Sequence, residues 1–320
     1  MSNKRLTLVP TLVASLLLLH VDARGESPPL YATEWGGFGY SVGNFNAPEG
    51  IAIDSQGDVY VADSGNNRVQ KFSSDGALIT FWGTFGTSNG QFDQPGGIAC
   101  DSNGFVYVAD GLNRRIQKFT GDGNFTGAWG SRGTDPGQFD FPHHLTTDAM
   151  NHLFVVDNPN ARVQEFRADG VFIGMWSTLE YPNAVAVHPN GSVYVSTYYI
   201  NVRISQYSRE GVRIRSWGTV GSGEGQLAHP RGMAVDAEGS LYVADLGNDR
   251  VLAFSPEGQF LCQWGTTGNQ GGEFVSPTSV GVFQNSVFVV DSGNHRIQRF
   301  DYPVAIQGTT WAKMKAQYRR

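Results

Sequence analysis

Three histidines are the side chains of this sequence that could bind a metal ion or transfer a proton. His143 and His144 directly follow a proline, and His229 directly precedes another. If the two prolines mark equivalent points of a repeated structure, two or three imidazoles could meet at one rim. Zinc ordinarily takes three protein ligands at about 2.1 Å. The three residues are therefore candidates for a zinc or calcium site; our preferred interpretation is that they are surface or turn histidines and that the protein holds no cofactor.

Two adjacent tyrosines are the best candidates for contact with a partner. They lie where equivalent stretches of the sequence carry Ser, Gly and Asn. Exposed aromatic residues on a loop are good anchors, because they are large yet lose little rotamer entropy on binding. We expect the tyrosines to form a binding surface together with nearby basic residues and histidines. This surface would consist of Tyr198, Tyr199, His143, His144, Arg231 and Arg114. The alternative is that the tyrosine rings pack into a gap beside a shortened connection.

Other catalytic patterns do not stand out. The sequence shows no serine–histidine–acid, paired-carboxylate or phosphate-loop arrangement. Its Gly-x-x-Gly strings follow strands without opening a helix, so they indicate turns rather than nucleotide-binding loops. We therefore expect a binding protein rather than an enzyme, and keep a lyase or hydrolase with a metal ion as the alternative.

A repeated unit of about 47 residues must position these side chains. Residues 48–83 contain four short β-rich runs separated by turn residues, the pattern of a four-stranded antiparallel meander. The unit recurs, with prolines at 48, 95, 142, 182, 230 and 277 and one short step of about 40 residues. Self-similarity at this period, without helical spacing, predicts an all-β protein: a six-bladed β-propeller of four-stranded antiparallel blades.

The pattern divides the chain into four parts. Residues 1–23 combine a basic start, an apolar run and a small-residue cleavage pattern, which indicates a secretory signal peptide. Residues 24–29 are a linker, 30–303 the propeller, and 304–320 a tail whose spacing would suit a short amphipathic helix. The apolar run of 14 residues is too short to span a bilayer comfortably, so no membrane span is expected after cleavage.

The N-terminal strand is expected to close the ring. Residues 30–36 resemble the last strand of a unit, while the sixth unit ends at Phe300 without the turn that leads to every other last strand. Pairing the first and last segments would remove an open sheet edge. The tail is a competing partner, because Trp311 lies 47 residues after Trp264.

The most regular part of the unit carries a family resemblance. VADSGNNRVQKF at 61–72, VADGLNRRIQKF at 108–119, VADLGNDRVLAF at 243–254 and VVDSGNHRIQRF at 289–300 resemble the NHL repeat. The resemblance implies a propeller that serves as a protein or RNA platform, a receptor ectodomain or, in a few branches, an enzyme. Peptidyl-hydroxyglycine lyases, a related propeller family, bind zinc with loop histidines. This sequence departs from them, since most units lack that histidine and the expected disulfides cannot form.

Residues that recur in the units are expected to be structural. An Asp at the end of the second strand precedes an Arg by five residues, as in Asp63 and Arg68, and the pair is expected to lock a turn. The recurrent Trp is expected to fill gaps between blades. Function is expected where the units differ: in the residues after each proline, around the pore, and in blade four, where Thr197 replaces the Asp.

Charge and cysteine content narrow the class of partner. A net charge of −6 gives no overall attraction to a phosphate backbone, so nucleic acid is not expected. Cys100 and Cys262 fall three blades apart, which predicts two free thiols. We predict a monomeric protein that is secreted or otherwise extracytoplasmic, in the periplasm or at the cell surface if bacterial. It would act as a binding or scaffold module for a protein, peptide or glycan on its pore-bearing face.

Overall fold

Twenty-four strands form six sheets in the computed structural model, which describes residues 27–178, 180–199 and 201–303. Each sheet has four antiparallel strands, so the prediction of an all-β six-bladed propeller is confirmed. The predictions of a signal peptide at 1–23 and of a helical tail at 304–320 fall outside the described residues. Within them, no helix is long and apolar enough to cross a membrane.

The blades are numbered along the chain by their first strands. Blade one contains β2 (Pro48–Ile53), β3 (Val59–Asp63), β4 (Arg68–Phe72) and β5 (Leu78–Trp82). Blade two contains β6 (Pro95–Cys100), β7 (Phe105–Asp110), β8 (Arg115–Thr120) and β9 (Phe125–Trp129). Blade three contains β10 (Pro142–Thr147), β11 (Leu153–Asp157), β12 (Arg162–Phe166) and β13 (Phe172–Ser177). Blade four contains β14 (Pro182–Val187), β15 (Val193–Thr197), β16 (Arg203–Tyr207) and β17 (Arg213–Trp217). Blade five contains β18 (Pro230–Val235), β19 (Leu241–Asp245), β20 (Arg250–Phe254) and β21 (Phe260–Trp264). Blade six contains β22 (Pro277–Phe283), β23 (Ser286–Asp291), β24 (Arg296–Asp301) and β1 (Leu30–Gly36).

Position within a blade explains the burial of each strand. Second strands are packed between the neighbouring blades and read as near-continuous apolar runs such as VYVAD, with every residue buried. Fourth strands lie at the outside, where half-buried and exposed residues alternate, as in FIGMWS of β13. First strands contact those of the adjacent blades around a central channel. The repeat therefore places every residue that follows an initial proline at the same end of the channel.

The N-terminal strand closes the ring, as predicted. β1 pairs antiparallel with β24, from Leu30 opposite Asp301 to Gly36 opposite Arg296. Trp35 on this strand lies between blades, with ring centroids 6.0 Å from Phe72 in blade one and 6.3 Å from the ring of a blade-six phenylalanine. Closure therefore joins blade six to blade one by side-chain packing as well as by backbone pairing.

The repeated Asp and Arg form a buried turn lock, which confirms their predicted structural role. Arg68 Nε donates to Asp63 Oδ2 at 2.7 Å, and Asp63 is fully buried. The side-chain amides of Asn66 and Gln70 donate to the same oxygen at 2.8 and 3.1 Å. The other guanidinium nitrogens of Arg68 donate to three carbonyls of the connection entering blade one. Equivalent Arg–Asp pairs occur in blades two, three, five and six.

The recurrent tryptophans fill the gaps between blades, also as predicted. The ring of Trp82 packs on Gly123, in the turn before the last strand of the next blade. A Cβ at Gly123 would lie 2.6 Å from the indole, and its φ of +85° is a conformation that favours glycine. The glycine thus serves both the turn and the close approach of the next blade. Cys100 and Cys262 are free, and burial raises the pKa of both thiols, that of Cys262 to about 11.

Candidate functional site at the pore mouth

The upper face of the ring carries the turns between second and third strands and the blade-to-blade connections. First strands begin at this face, each with a proline. The residues that follow these prolines, which we term the pore mouth, are Glu49, Gly96, His143, Asn183, Arg231 and Thr278 in blades one to six. Below them runs a channel of about 190 Å³ lined by all six first strands.

Three charged or titratable side chains from blades one, three and five meet over the channel. Arg231 Nη2 lies 2.8 and 3.0 Å from the two carboxylate oxygens of Glu49 and 3.1 Å from His143 Nε2. His143 Nε2 is also 3.6 Å from Glu49 Oε2. Side-chain exposures of 23% for Arg231, 27% for Glu49 and 14% for His143 leave the group open to solvent. We term Glu49, His143 and Arg231 the pore cluster.

The hydrogen bonds of His143 define one neutral tautomer. Its Nδ1 lies 3.2 Å from the carbonyl oxygen of Asn183, which can only accept, so the proton is assigned to Nδ1. Nε2 is then the acceptor for the guanidinium of Arg231. Burial, followed by the positive charge of Arg231, lowers the pKa of His143. The pore cluster therefore presents an uncharged basic nitrogen beside a fixed cation.

The neutral members of the pore mouth hold the ring together instead. The amide of Asn183 donates to the carbonyl of Pro230 at 2.8 Å, and Thr278 Oγ1 donates to the carbonyl of Glu49 at 2.9 Å. A Cβ at Gly96 would lie 2.9 Å from the carbonyl oxygen of the next blade, so only glycine fits that contact. Contacts between first strands thus account for these three residues.

His144 points to a different place from His143, because successive residues of a strand face opposite sides. It lines the central channel, and its Nδ1 accepts a bond from the backbone N–H of Val185 at 3.4 Å. Burial, then the nearby His143 and Arg231, lowers the pKa of His144 to about 3. His144 is therefore neutral at physiological pH.

Acid is expected to destabilise the fold through His144. The unfolded chain binds a proton near the ordinary pKa of 6.5, whereas the folded chain does so only near 3, so the free energy of unfolding falls as the pH drops through this window. Urea unfolding at about pH 7.5 and about pH 5 measures the effect. In His144→Asn, which keeps an acceptor for Val185, the loss between the two pH values should shrink. An unchanged loss would show that His144 does not cause it.

An aromatic stack lies beside the pore cluster, between blades four and five. The rings of Tyr198 and His229 are stacked, with centroids 5.0 Å apart and an interplanar angle of 24°. Burial, then the charge of Arg231, lowers the pKa of His229, so the stacked imidazole is neutral. Tyr199 is 79% exposed and has φ +84°, a backbone conformation unusual for a bulky residue. Tyr198 therefore packs, but on the side of blade five rather than in the gap beside the shortened connection, while Tyr199 projects from the upper face.

Arg114, also predicted for the site, lies in the outer ring of the upper face. Its Nη1 donates to the carbonyl of Leu112 at 2.9 Å, and its Nε lies 3.6 Å from Asp140 Oδ1. The structure therefore groups His143, His229, Arg231 and Tyr198, but assigns Arg114 to turn contacts of blade two.

The three candidate histidines do not fit a metal ion in this arrangement. One nitrogen of His143 faces a carbonyl and the other faces a guanidinium, so a cation at Nε2 would meet the positive charge of Arg231. His229 is stacked on Tyr198, and His144 accepts a backbone N–H. Among the described residues, the ligand-type atoms that converge in a group of three belong to Asp148, His152 and Glu165, on the opposite face.

That lower-face group, in blade three, already holds a cation, the guanidinium of Arg209 from blade four. Arg209 Nη1 lies 2.9 Å from Asp148 Oδ2, and its Nη2 contacts Glu165 and His152. In blades one, two and five, a second-strand tyrosine bonds the aspartate equivalent to Asp148. Blade three has Phe154 instead, and Arg209 lies over its ring. The group is therefore a structural clamp between blades.

Sequence reasoning missed Glu49 as a site residue. It occupies the same repeat position as His143 and Arg231, directly after the proline that begins a blade. A comparison of all six positions after the prolines would have found three charged or titratable residues in alternate blades.

Comparisons with known proteins agree with this architecture. Six four-stranded sheets around a channel, closed by the first and last segments, define a six-bladed β-propeller. Residues 45–72, 92–119 and 274–300 match the NHL repeat, and residues 146–270 match the SMP-30/gluconolactonase/LRE-like region. The chain is a six-bladed propeller with NHL repeats.

Curated relatives match one repeat. B-box type zinc finger protein ncl-1 of Caenorhabditis elegans is 43% identical over 47 residues, which is 15% of this chain and 6% of that protein. Protein brain tumor of Drosophila melanogaster is 40% identical over 47 residues, 15% of this chain and 4% of that protein. The match thus covers a small part of each relative.

Solved structures match almost the whole propeller. A gluconolactonase from Xanthomonas campestris has a TM-score of 0.63 and 17% identity, covering 88% of this chain and 99% of its own. Virginiamycin B lyase from Staphylococcus aureus has a TM-score of 0.58 and 13% identity, covering 86% and 89%. A chain of a nidogen–laminin complex has a TM-score of 0.55 and 18% identity, covering 70% and 82%. At these identities the similarity shows the fold, which both enzymes and a complex-forming protein use.

Proposed function

We propose that this protein is an exported, monomeric binding module that holds a protein, peptide or glycan on its upper face, with the pore cluster at the centre of the site. One observation carries the proposal: Glu49, His143 and Arg231 converge from three blades although the repeat does not require them. Export is proposed from the signal-like pattern at 1–23, and the net charge of −6 argues against a nucleic acid partner.

Arg231 has bonding capacity left for a ligand. Its Nη2 makes the contacts to Glu49 and His143, while its Nη1 and Nε have no acceptor among the described residues. Guanidinium groups bind carboxylates and other oxygen acceptors strongly, often through two nitrogens. With the neutral His143 as a further polar contact, the cluster suits a ligand that presents several oxygens at the pore mouth.

The aromatic stack of Tyr198 and His229 supplies the apolar part of such a site. Tyr198 and His229 form a flat surface beside Arg231, and Tyr199 stands exposed next to it. The φ of +84° at Tyr199 is a feature of the turn, because the turn between the second and third strands of every other blade also holds a non-glycine residue with positive φ: Asn67, Arg114, Ala161, Asp249 and His295. What favours binding is the exposure of the ring, which makes no hydrogen bond or ring contact among the described residues.

Substitution of Tyr199 should separate binding from folding. Tyr199→Gly relieves the positive φ, so the thermal midpoint should stay constant or rise, while affinity for a ligand selected from defined peptide and glycan arrays should fall by about 1 kcal/mol or more. Tyr198→Ala should weaken binding similarly but also lose the stack on His229, about 0.5–1.5 kcal/mol of stability. Calorimetry and thermal melts give both quantities.

Tyr40 is the matched control. It is 72% exposed on the same face, in the connection that enters blade one, and away from the stack of blades four and five. Tyr40→Ala should leave ligand affinity unchanged. Equal losses in Tyr40→Ala and Tyr199→Gly, or none in either, would place the binding surface elsewhere on the ring.

A second function, catalysis at the pore cluster, is favoured by the uncharged Nε2 of His143. A neutral imidazole can accept a proton in ester or lactone cleavage once its bond from Arg231 is exchanged for one from a substrate or water, and two structurally similar proteins are named as a lactonase and a lyase. Turnover of a lactone or depsipeptide that disappears in His143→Gln, with ligand affinity kept, would support it. Stoichiometric zinc or calcium after dialysis would contradict our reading of the site.

A further inference from the structure

A cleft of about 810 Å³ opens on the lower face, the one that carries the turns between first and second strands and between third and fourth strands. It lies against blades three and four, and its apolar lining includes Met150, Val187, Ile214 and Val235. Met150 and Ile214 are 61% and 52% exposed. The cleft meets the lower end of the central channel, since Val187 and Val235 line both. Nothing in the repeat or in the upper-face site requires such an apolar opening.

The described chain leaves the propeller on the same face as this cleft, beside blade five. Tyr302 is buried against blade five, and its hydroxyl lies 3.4 Å from that of Tyr242. The hydroxyl of Tyr242 lies 3.2 Å from Asp236 Oδ2. Asp236 directly follows Val235, which lines the cleft. A short series of contacts thus leads from the last described residues to the cleft.

Residues 304–320 combine apolar and basic side chains, which would suit an apolar cleft with an acidic rim. In residues 304–320 the apolar side chains Trp311, Met314 and Tyr318 recur at intervals of three and four. The same stretch has no acidic residue and carries four basic ones: Lys313, Lys315, Arg319 and Arg320.

The rim of the lower face is acidic, which complements that charge. Each turn between third and fourth strands in blades one to five presents one exposed carboxylate: Asp75, Asp122, Asp169, Glu210 and Glu257. Glu210 itself lines the cleft beside Arg209, whose guanidinium is turned toward Asp148 and Glu165, and Asp169 is paired with Arg167. Opposite potentials of this kind orient a charged segment at modest ionic strength.

We infer that the lower-face cleft binds this chain's own C-terminal segment, residues 304–320, with Trp311 and its apolar neighbours in the cleft and the basic residues toward the acidic rim. Seven residues, 304–310, separate Pro303 from Trp311, and an extended stretch of that length spans up to about 25 Å. The N-terminal segment is the weaker fit, because it enters through β1, the outermost strand of blade six. This inference is independent of the upper-face site.

Disulfide trapping in the full-length chain tests the inference. Met150→Cys with Met314→Cys pairs the cleft with the segment; Ala77→Cys with Met314→Cys is the control, because Ala77 is exposed on the same face in blade one. Under mild oxidation the Met150 pair should cross-link within one chain at least about ten-fold faster than the control pair, the gain expected from proximity. Single Met314→Cys shows whether the native thiols react.

Three results would overturn the inference. Equal rates for the two pairs would mean that the segment does not occupy the cleft. Cross-linked dimers in place of monomers would mean that the cleft takes the segment of a second copy. Unchanged hydrogen exchange at residues 187–193 and 208–212, when the wild-type chain is compared with one ending at residue 303, would mean that residues 304–320 do not cover the cleft.

Discussion

A chain that begins at Gly37 is expected to melt many degrees below the intact propeller and to aggregate. Such a chain lacks β1, so β24 becomes an open strand at the edge of blade six. An unpaired strand edge invites association with other chains. The chain also loses Trp35, which packs between blades one and six. Trp35 is half-buried, so its loss alone should cost less than the about 3–5 kcal/mol typical of a fully buried aromatic side chain.

The matched variant ends at residue 303 and keeps β1. Its thermal midpoint should fall little, because all six described blades have their four strands without the deleted segment. Differential scanning calorimetry with light scattering measures both chains. Trp35→Ala, with the backbone pairing intact, should lie between the two. If the chain ending at residue 303 were the less stable of the two truncations, the tail rather than β1 would be the main closing element.

The repeat made the fold predictable from the sequence. The sequence repeats turn residues with a period of about 47 residues, and residues 30–36, at the start of the propeller, resemble the last strand of a unit. Together these features predict a closed ring of six blades. The Asp–Arg turn lock was predictable for the same reason, because both partners lie within one unit at a constant spacing. Local pattern and global architecture agree here, which is typical of natural repeats.

The site was less predictable because its contacts cross the ring. Arg231 and Glu49 are separated by 182 positions and meet only because the ring is closed. The clamp of Arg209 is a similar case, in which an arginine of blade four replaces a tyrosine hydroxyl missing from blade three. Tyr198 and Tyr199 are adjacent in sequence, yet one stacks and the other projects. Such distinctions depend on side-chain geometry, which a one-dimensional pattern does not contain.

Removing the repeated arginine should cost much more in blade one, which has the turn lock, than in blade four, which lacks its aspartate. Arg68→Ala removes the cation from Asp63, a fully buried carboxylate, and releases three backbone carbonyls. Removing one partner of a buried ion pair typically costs about 3–5 kcal/mol, because the remaining charge stays buried, here with only neutral hydrogen-bond donors around it. We expect a loss of that size in the free energy of unfolding, measured by urea titration, with ligand binding on the upper face retained.

Arg203→Ala is the matched control, because blade four has the arginine without the aspartate. Thr197 stands in that position and bonds a backbone carbonyl at 2.7 Å, while Arg203 pairs with Glu180 and is 28% exposed. Partly exposed ion pairs contribute about 0–1 kcal/mol, so the loss should be small. Arg68→Lys, which keeps the charge but not the fork of donors, should fall between. Equal losses for Arg68→Ala and Arg203→Ala would mean that the buried Asp63 charge is not the source of the cost.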